Sequence, residues 1–161
     1  MSSTPSVDDA RRRHRLVLAI GDALRDLRAE LSLLNHHVGA RVELKDVDLE
    51  CLDLLDRHGT LSPSALAKRA GLHPATMTGI LDRLERGGWI TRDRAGTDRR
   101  SVVVSPTRHR IGEMLRLYSG MNAELNKICS GYDAHELALI ADFLRRVAEA
   151  GHRAADELAG D

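Results

Sequence analysis

Between Leu61 and Ser105 the chain carries helix-ending and helix-starting residues at intervals that leave few options. Ser62-Pro63 opens a helix, with serine as N-cap and proline in the first turn, where its missing N–H costs nothing. Gly71 closes it, as a C-terminal glycine does. Leu72 anchors the turn, His73-Pro74 starts a second helix to about Arg86, and Gly87-Gly88 ends that one. Two short helices around a tight glycine turn form a helix-turn-helix. The β-rich runs Trp89–Arg94 and Ser101–Ser105 follow, with Ala95 to Arg100 between them as a hairpin loop. The expected fold class is therefore mainly α with a small β-ribbon: a winged helix-turn-helix flanked by long N- and C-terminal helices.

The second short helix has two unlike faces. At about 100° per residue, Met77, Ile80, Leu81 and Leu84 point inward. Ala75, Gly79, Asp82 and Arg86 point outward, with Thr78 on one flank and Thr76 and Arg83 on the other. An outward glycine costs about 1 kcal/mol of helix propensity relative to alanine. Small outer side chains suit a helix that lies close against a large surface, and a DNA major groove admits one α-helix. Threonines touch base edges or a thymine methyl there, and Arg83 reaches guanine or phosphate. The free amides near His73 to Thr76 suit a phosphate, and His73 reads as a cap rather than a metal ligand.

Charge distribution supports the same partner where total charge does not. The chain balances 24 basic against 24 acidic residues. From Arg83 to Arg110, however, eight arginines face three acids, a local net of +5 on a body of −5. The hairpin tip holds Asp98-Arg99-Arg100, four residues after Arg94. A tip needs no arginine for folding, and arginine fits the negative potential of a narrow minor groove. Arg99 is the expected inserted residue. Asp98 is expected to accept from Arg94 or Arg100 and stiffen the loop.

The flanks look like pairing apparatus. From Asp8 to about Val38 one long helix shows apolar residues at Leu16, Ile20, Leu27, Leu31 and Leu34, a narrow stripe of the kind that packs on other helices. Gly39 to Lys45 reads as a break. A helix over Asp46–His58 turns Leu49, Leu52 and Leu55 inward, and Gly59-Thr60-Leu61 is long enough for a single bridge to the ribbon. After Pro106 or Thr107 another long helix is expected, with Ile111, Met114, Tyr118, Met121, Leu125, Ile128 and Tyr132 in alternating steps of three and four. Asp133 caps a last helix with the same alternation, which indicates helix-helix seams. The expected division is 1–45 and 107–161 for dimerisation and 46–106 for DNA binding.

Other classes find little support. No run of 18 apolar residues and no signal-peptide core occur, so a cytoplasmic protein without a membrane partner is expected. No P-loop, nucleophile elbow or zinc-protease motif occurs, so no enzyme, catalytic residue or cofactor is expected. Cys51 and Cys129 both lie in helical patterns and read as buried free thiols. The eight histidines contain no H-x-x-x-H pair, so no metal ligand is assigned.

The run Leu66-Ala67-Lys68-Arg69-Ala70-Gly71-Leu72, then Thr78-x-x-Leu81-Asp82-Arg83-Leu84-Glu85-x-x-Gly88-Trp89-Ile90, then Arg94 and Asp98-Arg99-Arg100, resembles the MarR family of bacterial transcription regulators. The helix plan agrees along nearly the whole chain. The resemblance implies a homodimer with interlocked terminal helices and two winged domains on a pseudo-palindrome. It implies a regulator, usually a repressor, often released by a small ligand in the cleft beside the dimer helices. By position, Thr76, Thr78 and Arg83 match the DNA-facing helix, and Arg94, Asp98, Arg99 and Arg100 match the wing. With only four aromatic residues in the chain, the ligand cleft would be aliphatic, with His14, Arg15, His36 and His37 as candidates to orient an anionic effector. The family's usual glycine after the second wing strand is absent; Thr107-Arg108-His109 stands there, and Arg108 becomes a further candidate phosphate contact. A metal- or redox-responsive regulator of the same fold, or a winged-helix protein-interaction module, remains the alternative.

Overall fold

A computed structural model describes residues 7–94 and 102–160. The elements in order are α1 (Val7–Val42), α2 (Asp46–His58), α3 (Pro63–Ala70), α4 (Pro74–Arg86), β1 (Ile90–Arg94), β2 (Val102–Pro106), α5 (Arg108–Arg116), α6 (Ser119–Cys129) and α7 (Ala134–Ala159). They fall into two compact units, Met1–Leu117 and Tyr118–Asp161.

The first unit holds the core. Leu49, Leu52 and Leu55 of α2, Leu66 of α3 and Met77, Ile80, Leu81 and Leu84 of α4 are buried, with Trp89, Ile90, Val104, Ile111 and Met114 around them. These are the inward residues expected from the helical periodicity of α2 and α4. The caps follow sequence chemistry as well. Ser62 Oγ accepts from Ala65 N at 3.2 Å, His73 Nδ1 accepts from Ala75 N at 3.2 Å, and Gly71 takes the left-handed conformation at φ 64°.

β1 and β2 pair antiparallel, with Ile90 opposite Pro106 and Arg94 opposite Val102. The expected single bridge forms between Leu61 and Val104, whose amides and carbonyls exchange bonds of 3.0 and 2.7 Å. Beside it the hydroxyls of Thr60 and Ser105 lie 2.8 Å apart. The bridge ties the segment before α3 to the ribbon.

Two expectations are corrected. The break assigned to Gly39–Lys45 is shorter, because α1 runs through Gly39 to Val42. Gly39 is buried, and a Cβ there would stand 2.6 Å from the Leu44 carbonyl oxygen and 3.4 Å from Leu49 Cδ1. The glycine is there to let two backbones approach, not to end the helix. The turn comes instead at Glu43, whose φ is 58°. The single long helix expected after Thr107 is also two helices, α5 and α6, separated at Leu117-Tyr118.

At 36 residues α1 is about 54 Å long. Only Val38 and Gly39 on it are buried, while Leu16, Ile20, Leu27, Leu31 and Leu33 are exposed. In the second unit α7 begins at a reciprocal cap: Asp133 Oδ1 accepts from Glu136 N at 2.8 Å, and Glu136 Oε2 accepts from Asp133 N at 2.9 Å. Along α6 and α7, Leu125, Ile128, Leu139, Ile140, Phe143 and Leu144 stay exposed. Among the described residues no helix is long and apolar enough to cross a membrane.

Candidate nucleic-acid interface

The outer face of α4 has the character read from its sequence. Ala75, Thr76, Thr78 and Gly79 are exposed, and nothing lies within 4 Å of a Cβ built on Gly79. The Thr78 hydroxyl donates to the Pro74 carbonyl at 3.2 Å, which holds its methyl and oxygen in one orientation at the first turn. Nδ1 of His73 is occupied as the cap, accepting from the Ala75 amide at the helix start.

Arg83 is placed differently from a simple groove contact. Its Nε donates to Asp48 Oδ2 at 3.0 Å and its Nη2 to Asp48 Oδ1 at 2.7 Å, a bidentate pair. Asp48 is fully buried, and its Oδ2 also accepts from the Lys45 amide at 3.0 Å. The hydrogen bonds that Arg83 donates to the Asp48 carboxylate raise the guanidinium pKa further, against the opposing effect of burial. The carboxylate at the start of α2 thus grips the last turns of α4. Asp48 shares a face with Leu52 and Leu55, so an acid on a buried stripe was the signal in the sequence; such a group needs a partner.

Several other arginines of the basic stretch also act inside the unit. Arg92 of β1 bonds to Asp82 and lies 3.3 Å from Glu85, both on α4. Asp82, expected on the outer face, is therefore the carboxylate that fastens the ribbon to the helix. Arg110 lies over Trp89, 4.1 Å from the ring centroid, and donates to the Gly87 carbonyl at 3.4 Å. Arg108 sits 3.5 Å from Asp56, an exposed pair. Arg86 Nε donates to the Asp82 carbonyl at 3.2 Å. A count of local charge alone overstates how much of this stretch is offered to a phosphate.

Arg94 ends β1 and is exposed, so the ribbon carries it toward the hairpin tip. Asp98, Arg99 and Arg100 lie outside the described residues.

The four ligand candidates do not meet within one chain. His14 and Arg15 line an open groove of about 930 Å³ near the start of α1. His36 and His37 are 22 positions further along the same helix, or about 33 Å. They are exposed, with His36 Nδ1 3.7 Å from Asp46. A smaller groove of about 410 Å³, not foreseen from the sequence, lies between Arg41, Glu43, Trp89, Arg110 and Glu113. Among the described residues no group of histidine, cysteine and acidic side chains could hold a metal ion.

Cys51 is buried, as expected, but Cys129 is only partly so. Burial first, and then the charges of Asp48 and Glu50, push the Cys51 thiol from 9.0 to about 11. A neutral, enclosed thiol is a poor nucleophile, which argues against redox sensing at this position.

Comparison with known proteins agrees with this geometry. The model of the MarR family matches residues 44–102. The HTH-type transcriptional regulator FarR of Neisseria gonorrhoeae is 30% identical over 116 residues, covering 68% of this chain and 75% of that one. The HTH-type transcriptional repressor YetL of Bacillus subtilis is 26% identical over 124 residues, covering 76% and 74%. Among solved structures, a MarR family protein from Bacillus stearothermophilus superposes with a TM-score of 0.68 at 19% identity, over 86% of this chain and 97% of that one; at that identity the likeness speaks for the fold. With its capped helix pair, its ribbon and its exposed small-residue helix face, the chain belongs to the MarR family of winged-helix DNA-binding transcription regulators, and is not an enzyme.

Proposed function

We propose that the chain is a cytoplasmic, ligand-responsive repressor that binds a pseudo-palindromic operator as a homodimer. The observation that carries the reading is the outer face of α4. Thr76, Thr78 and Gly79 are exposed, small and open, on a helix fastened by Asp48–Arg83 below and by Arg92 from the ribbon. Residues 46–106 are the reader in this account, with Thr76 and Thr78 at base edges, Arg94, Arg99 and Arg100 at the backbone and minor groove, and Asp98 as their internal brace. Asp48 takes the Nε–H and one Nη2–H of Arg83, so any contribution it makes to DNA comes from the remaining N–H groups on Nη1 and Nη2.

The flanks, 1–45 and 107–161, are assigned to dimerisation. The support is the uncovered apolar residues of α1, α6 and α7, including Leu16, Ile20, Leu125, Ile140 and Phe143. A second copy would cover them and set the distance between two readers. Repression is supported by the relative YetL, a transcriptional repressor. The effector is proposed to be a small organic anion, with His14, Arg15, His36 and His37 as candidate contacts. Because these lie at two distant places on α1, a shared site requires the partner chain to bring one pair to the other.

The test is selection of duplexes from a random pool by the purified full chain. The reading predicts enrichment of an inverted repeat with half-sites about one helical turn apart. Failure to enrich any sequence would count against it.

A further inference from the structure

We propose that Asp48 is a positioning residue for DNA recognition: by holding Arg83 through both carboxylate oxygens it sets the orientation of α4 against α2, and so where Thr76 and Thr78 meet the bases. The proposal rests on α4 being the recognition helix. It assigns to Arg83 a role different from that of a base-reading arginine in the same helix position.

Three features support it. First, the pair is built rather than incidental. Asp48 is fully buried and accepts three hydrogen bonds, of 3.0, 3.0 and 2.7 Å, from Lys45 N and from Nε and Nη2 of Arg83. A guanidinium fork held at two points fixes a plane, which a single ammonium contact does not. Second, the contact is placed where rotation matters. The apolar contacts of Met77, Ile80, Leu81 and Leu84 hold α4 against the core but are non-directional. The fork adds direction near the C-terminal end of the helix, leaving the N-terminal residues Ala75, Thr76 and Thr78 to project. Third, Asp48 stands at a junction. Its oxygen caps the start of α2, and the preceding residue pair is locked to α1 by the Leu44 amide donating to the Gly39 carbonyl at 2.9 Å. The buried carboxylate therefore refers the reading helix to the base of α1 as well as to α2.

A direct reader and a brace respond oppositely when the partner acid is neutralised. If Arg83 read DNA, Asp48→Asn would release a competing charge and leave binding equal or tighter. If Asp48 positions the helix, the same change weakens it. Arg83→Lys keeps the positive charge and loses the fork, so it tests whether the fork is needed, while the Asp48 substitution decides whether the fork acts on Asp48 or on a base.

The experiment measures binding of wild type, Asp48→Asn and Arg83→Lys to two duplexes of equal length: one selected by the wild type from a random pool, and a scrambled version. Measurements are made below the thermal midpoint of each variant, set by circular dichroism. If Asp48→Asn fails to fold, Asp48→Glu, which keeps the charge and shifts the fork, takes its place with the same expected loss and the same overturning result. The expected result is a loss of about tenfold or more on the selected duplex for both variants, with the scrambled duplex within about twofold and the salt slope unchanged. Wild-type or tighter binding of the selected duplex by Asp48→Asn would overturn the proposal. So would an equal loss on both duplexes, since that marks a phosphate contact. A wild type that selects no sequence would instead remove the recognition-helix reading, and the proposal with it.

Discussion

The carbonyl oxygen of Leu44 lies 2.6 Å from the position a Cβ would take on Gly39. The close approach brings the end of α1 onto the start of α2, and the Leu44 amide completes it with a 2.9 Å bond back to the Gly39 carbonyl. Gly39→Ala cannot be accommodated by moving a flexible side chain, because the obstacle is backbone. The substitution is expected to destabilise the first unit by about 1–3 kcal/mol, in spite of alanine's better helix propensity. A denaturant melt checks this; a stabilised variant would mean that the α1–α2 junction is looser than described.

That residue also shows what the sequence could not convey. A glycine after a long amphipathic stripe reads as a helix end, and only the packing of Leu44 and Leu49 against it reveals the close approach. Ser62, Pro63, Gly71, His73 and Pro74 were legible because capping chemistry is local, complete within three or four residues. The Arg83 partner was not, since Asp48 lies 35 positions away. The separation of α5 from α6 had only a weak signal, Ser119-Gly120 just after Leu117-Tyr118, because the three-four alternation continues across it. The exposure of Ala75, Thr76, Thr78 and Gly79 on α4 was legible, because helical period decides which side of a short helix faces away from a core; the partners of Asp82 and Arg83 on that helix were not.

The raised Cys51 thiol gives a signed expectation. The unfolded thiol titrates near 9.0 and the folded one near 11. Between those values the unfolded state binds fewer protons, so this group's contribution to stability is lost as pH rises from about 9 through about 11. Cys51→Ser or Cys51→Ala removes that component of the alkaline decline. A disulfide-exchanging reagent at pH 8 should label Cys129 before Cys51; the reverse order would contradict the burial.

Arg92 joins β1 to α4 through Asp82 and Glu85. Its side chain is 24% exposed against carboxylates that are about half exposed, so solvent screening limits the pair. Arg92→Ala should cost roughly 1 kcal/mol or less of stability. Its larger effect should fall on the ribbon, with faster amide exchange across Ile90–Arg94 than across α4. Uniform exchange changes in both elements would argue against the ribbon-specific role.

Deleting residues 1–34 removes most of the exposed apolar stripe of α1, including Leu16, Ile20, Leu27 and Leu31. The truncated chain is expected to sediment as a monomer and to lose tight binding to a full site. A truncated monomer that still bound the full site tightly would contradict the assignment of α1 to dimerisation.

Arg99→Ala should weaken binding to the selected duplex by about tenfold or more and reduce the salt slope by about one per wing, with the dimer intact. An unchanged affinity would remove the wing from the interface and leave the helix face as the whole reader.

The central claim, that the open face of α4 reads duplex DNA, is tested most directly by comparing affinity for the selected duplex with affinity for its scrambled counterpart at physiological salt. The account predicts a ratio of about a thousandfold or more, falling sharply when Thr76 and Thr78 are replaced by bulky side chains. Equal affinity for the two duplexes would contradict it.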